Sequence, residues 1–151
     1  MDWVEMSQKE NTLTIIFYLL ITVFVLVVSI IFIPAFSEFV SGIFMIVSGI
    51  ILIVLGSVLI GLTLVQKIEG KLQKFLILTG ASAVGFFAFA FLHNIFYALV
   101  QVPSRIAVLN YLMKSFEVIF FLIAIFACPL GFLVGVIGTL VIFYIKRKLN
   151  K

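Results

Sequence analysis

His93, Tyr97, Gln101 and Arg105 recur every four residues, with Asn94 beside them, in a stretch that is otherwise apolar. On a helix of about 3.6 residues per turn this spacing draws one polar stripe along a single face. An imidazole is the side chain best suited to pass protons at neutral pH, so the stripe predicts an ion or proton path with His93 as carrier. The same imidazole is suited to ligate a haem iron or to donate to a quinone oxygen. One histidine per chain cannot supply two axial ligands, so a bis-histidine haem requires a second chain. A plainer role is structural. His93 and Asn94 would bond to neighbouring helices, and Tyr97 and Gln101 would anchor at a membrane interface.

Other chemistry is scarce. Cys128 is the lone cysteine, which excludes an internal disulfide and a CxxC redox pair. It is expected to pack as a small buried residue. His93 and Cys128 supply too few ligands for zinc, and no metal or cofactor is expected. The chain contains no phosphate loop, nucleophile elbow or nucleotide fingerprint. No enzymatic activity is expected.

The elements that must position the stripe follow from composition. Of the 151 residues, 65% are apolar, 11% are charged and 18 are phenylalanine. Mean hydropathy is +1.41. A soluble globule could not cover itself with so few polar groups, and disordered chains lack such aromatic content. The net charge of +4 comes from scattered residues, without the basic stripe that nucleic acid requires. An integral membrane protein in contact with anionic lipid is the expectation.

Residues 11–37, 39–66, 75–104 and 118–145 contain no Asp, Glu, Lys or Arg. Each exceeds the ~20 residues that cross a hydrocarbon core, and none alternates with period two. The predicted fold is all-α: one transmembrane domain over 1–151, with spans near 12–35, 39–66, 75–102 and 116–145. Short connections predict antiparallel neighbours in an up-down four-helix bundle. Residues 1–11 carry Asp2, Glu5, Glu10 and only Lys9, the wrong sign for a signal peptide, so the first helix is expected to stay as a span.

Lys9, Lys67, Lys71, Lys74, Lys146, Arg147, Lys148 and Lys151 all fall on one predicted side, leaving Arg105 and Lys114 on the other. This places both termini in the cytoplasm. The short loops and the lack of a targeting signal point to a prokaryotic plasma membrane. Between the third and fourth spans, Ile106, Leu109, Leu112 and Phe116 lie at helical spacing. They predict a short amphipathic helix on the outer interface.

Small residues form stripes: Gly49 and Gly56 on helix 2, Ser57 with Gly61 further along it, and Ala127, Gly131 and Gly135 on helix 4. Such stripes allow close backbone approach within the bundle or against a partner. Pro129 is expected to kink helix 4 and free the Ile125 carbonyl. Counted from Ser115, Cys128 and Pro129 fall at the depth of His93, so stripe and kink are expected to meet in an outward-opening pocket. Glu38 and Glu117 follow Ser37 and Ser115, which reads as N-capping at the starts of helices 2 and 4.

The sequence thus points to a non-catalytic subunit or assembly component of a membrane complex. Its partners would be the bilayer and either a second copy of the chain or another membrane protein. The alternatives are a small transporter or conducting unit using the His93 stripe, and a redox subunit holding haem or quinone at His93.

Overall fold

In this computed structural model, residues 3–33, 42–101 and 107–149 are described. They form helices α1 (Trp3–Phe32), α2 (Gly42–Val65), α3 (Lys71–Val100), α4 (Ala107–Leu122) and α5 (Cys128–Leu149). A π turn, Ile123–Ala127, joins α4 to α5 without a break. The result is four helical rods, each long and apolar enough to cross a membrane. The segment with Ser37 and Glu38, and that with Arg105, lie outside the described residues.

The fourth rod corrects two expectations. Among the described residues no separate helix lies between the third and fourth spans, because the amphipathic segment from Ala107 is the first part of the fourth rod itself. Nothing between Ala107 and Cys128 breaks a helix; Pro103 and Pro129 are the flanking prolines. Ser115 does not cap a helix start either. Its hydroxyl donates to the Tyr111 carbonyl at 3.0 Å, the back-bond that lets serine sit inside a helix.

The link from α2 to α3 is closed by its own backbone. Ile68 N–H bonds to Thr63 O at 3.3 Å and Lys67 N–H to Leu64 O at 3.1 Å, with Lys67 left-handed at φ 51°. This is the Schellman ending, which satisfies carbonyls that a helix terminus leaves free. Gly70 supplies the second positive φ, 79°, just before α3.

At the centre stands α3, which packs against α2, α4 and α5. Glycine sets the distances. A Cβ on Gly56 would lie 2.8 Å from Gly80 O, and one on Gly80 would lie 2.8 Å from Gly56 O. On the other side Gly131 meets Ser82, Gly135 meets Thr79 and Phe75 O, and Gly138 meets the Phe75 ring. By contrast α1 contains no glycine; it packs mainly against α2 and meets α3 and α5 through aromatic rings. Phe24 stacks on Phe132 at 3.8 Å, and Phe17 meets Phe143 edge-on at 6.0 Å.

Buried hydroxyls are mostly satisfied within their own helices. Ser48 donates to Met45 O, Thr63 to Leu59 O and Thr79 to Phe75 O. Thr139 differs: its hydroxyl is fully buried and has no hydrogen-bond partner.

Candidate functional site

His93 is half-buried on α3 and faces α4. Its Nδ1 lies 3.1 Å from the carbonyl oxygen of Glu117. A carbonyl only accepts, so Nδ1 carries the proton, and in the neutral ring the Nε2 lone pair is left unbonded by this contact. The imidazole sits among aromatic rings, with Phe121 at 5.2 Å and Tyr97 at 6.3 Å between centroids.

The rest of the stripe does not converge on it. Asn94 is exposed, and its Nδ2 donates to the Ala90 carbonyl one turn back at 2.8 Å. Tyr97 and Gln101 are exposed as well. Gln101 ends α3, its backbone N–H directed at Ala98 O and Leu99 O. Among the described residues no three His, Cys, Asp or Glu side chains gather into a metal site.

The expected meeting of stripe and kink does not occur. Cys128 Sγ lies opposite Gly85, 3.2 Å from where a Cβ would stand. Gly85 is eight residues below His93 on α3, about 12 Å along the axis. The fourth rod begins at Ala107, eight residues before Ser115, which carries Cys128 and Pro129 deeper than His93. Cys128 is buried.

Around Pro129 the helix widens. Cys128 N–H bonds to Ile123 O, five residues back, closing the π turn. Proline cannot donate to the Ile125 carbonyl and its ring crowds that group. A wider turn just upstream moves the carbonyl away from the ring. Proline thus perturbs the predicted place, as a π turn in an otherwise continuous rod.

The glycine stripes, expected to pack within the bundle or against a partner, are in use inside the chain. Gly49 faces the Phe87 ring, Gly56 faces Gly80, and Gly131 and Gly135 face α3. Gly61 and Ala127 are the exceptions. Both are exposed, and nothing lies within 4 Å of a Cβ built on Gly61.

One surface feature was not anticipated. Tyr111, Lys114, Ser115, Val118 and Ile119 line a shallow depression of about 490 Å³ on α4. Their i, i+3, i+4, i+7, i+8 spacing could have revealed it as one helix face. The neighbouring face of Leu109, Leu112 and Phe116 carries the stronger apolar spacing and masks it in the sequence.

Comparison with models of protein families, with curated proteins and with solved structures finds no match to this chain.

Proposed function

We propose that this chain is an integral membrane protein, an up-down four-helix bundle that acts without catalysis as an assembly component of a larger membrane complex. The contacts support antiparallel neighbours: Gly49 with Phe87 but Gly56 with Gly80, and Gly131 with Ser82 but Gly138 with Phe75. The Phe75–Gly138 contact also brings Lys71 and Lys74 to the same end as Lys146, Arg147 and Lys148. By the positive-inside rule that end, with both termini, is cytoplasmic. A prokaryotic plasma membrane remains the host we propose.

The observation that carries the assembly reading is the length of the fourth rod, 42 residues. At 1.5 Å per residue it reaches about 63 Å against ~40–45 Å for bilayer plus headgroups. Its excess beyond the basic end is polar and suits water. At the opposite end one face of it is apolar, beside the face of Tyr111, Lys114 and Ser115: Val108 is 70% and Leu112 51% exposed, with Leu109 and Phe116 also exposed. Apolar side chains held at headgroup level call for a covering protein surface, either a second copy or another membrane protein.

A photo-crosslinking residue at Leu112 tests this in the native membrane, with Ile15 on the exposed face of α1 as control. The expected result is one protein adduct of defined mass from Leu112, at twice the chain mass for a second copy, and lipid adducts alone from Ile15. Lipid adducts alone from both would sink the reading. Leucine at Gly131 or Gly135 is a poor test, because both glycines pack inside the chain.

A second reading has one observation in its favour. The Glu117 contact holds His93 with Nε2 as a proton acceptor, which suits a proton-conducting unit. Replacing His93 with alanine in liposomes is then expected to abolish a proton flux while helicity is unchanged. Equal flux in both proteins would remove His93 from any pathway.

A further inference from the structure

We propose that the depression on α4 is a binding site for a single phospholipid with an anionic headgroup. It goes beyond the assembly reading and needs only that α3 and α4 cross the bilayer. The site uses the face of Tyr111 and Lys114, beside the apolar face of Leu109 and Leu112.

The lining is graded along the helix in the order a lipid requires. Tyr111, Lys114 and Ser115 stand at one end of the depression, and Val118 and Ile119 at the other. Beyond Ile119 the same face continues with the exposed side chains of Leu122 and Phe126. A phosphate at Lys114 therefore leaves an acyl chain an apolar track of about 18 Å, from Lys114 to Phe126.

The depth is right as well. Phe116 packs on Phe96 with centroids 5.5 Å apart. Phe96 stands 25 residues from Lys71 on α3, about 38 Å along the axis. Lys114, half a turn from Phe116, is thus close to one bilayer thickness from Lys71 and Lys74, at the level of the opposite headgroups.

Charge selects the headgroup. Among the described residues no ion pair engages Lys114, and an ammonium at that level attracts anionic lipid. The Ser115 hydroxyl gives its proton to Tyr111 O, so its lone pairs are acceptors for a headgroup hydroxyl. The Tyr111 ring, 77% exposed, suits the interfacial belt.

The test uses the full chain in phosphatidylcholine vesicles carrying a minor fraction of phosphatidylglycerol with a diazirine in its acyl chain. Adducts are expected to concentrate between Val118 and Phe126, above the level at Ile50 on the exposed face of α2. Lys114→Gln is expected to lower the α4 yield about fivefold, the effect of ~1 kcal/mol per lysine at an anionic surface. Ile50 labelling should not change, and Lys114→Arg should restore the α4 yield. Unchanged labelling in Lys114→Gln would overturn the proposal, as would equal labelling of α4 by diazirine phosphatidylcholine. Loss of labelling on adding inorganic phosphate would show a site for free phosphate, and the lipid assignment would fall.

Discussion

Alanine at Gly135 is expected to destabilise the fold by about 3 kcal/mol, the upper end of the usual cost of overpacking. A Cβ there would meet Thr79 Oγ1, lie 2.8 Å from Thr79 N and 3.0 Å from Phe75 O. Two of these three atoms are backbone of α3, so relief requires the helices to separate. Separation would loosen the Gly131 and Gly138 contacts along the same interface. Gly56→Ala is expected to behave alike, because its obstacle includes the Gly80 carbonyl at 2.8 Å. Gly138→Ala should cost less, since the Phe75 ring can swing aside. Gly61→Ala meets nothing within 4 Å and should be neutral or slightly stabilising, alanine being the better helix former. Equilibrium unfolding in mixed detergent micelles gives the ranking directly. Equal losses at Gly61 and Gly135 would mean that these contacts do not hold the bundle together.

Phe24→Ala should cost a similar amount, for a different reason. Phe24 is buried, stacked on Phe132 at 3.8 Å, and meets Phe86 edge-on at 5.5 Å. It ties α1 to α3 and α5 at once. Truncation would leave a ring-sized cavity, which soluble proteins register as 3–5 kcal/mol. In a bilayer the lipid is as apolar as the core, so dispersion and ring geometry are what is lost, and about 3 kcal/mol is expected. Phe24→Leu should recover part of it. The same unfolding assay measures both, and a loss for Phe24→Ala below ~0.5 kcal/mol, the least an aromatic pair contributes, would show that the rings do not hold α1.

The four rods were readable because a charged side chain within an apolar helix is costly, so charge-free runs mark the spans. Their ends were less readable. Lys71 and Lys74 begin α3 ahead of the predicted start at 75, since a helix is free to continue past the apolar run into polar surroundings. At the other end of the molecule Asn110, Lys114 and Ser115 resembled a boundary but are accommodated inside a helix. Ser115 needs no cap role once its hydroxyl back-bonds to Tyr111 O.

The polar stripe on α3 was legible as a stripe but not as a site. Spacing places His93, Tyr97 and Gln101 on one face of one helix, yet the neighbour of that face depends on the register of the next helix. Moving the start of the fourth rod from 116 to Ala107 takes Cys128 and Pro129 deeper. It puts the backbone of Glu117 against His93 instead.

By itself, the sequence determined that four helices form and that glycine lets them approach closely. Which glycines do so was decided only by tertiary packing. Residues four apart turn 400° on a helix, so a small-residue stripe drifts by about 40° at each step. From Gly135 the stripe passes through Gly131, still against Ser82, and by Ala127 has rotated into exposure. Gly56 and Gly61 are five apart and so stand about 140° from one another around the helix, one against Gly80 and the other in open space. A face drawn from one helix has no partner until a second helix fixes the angle at which they meet.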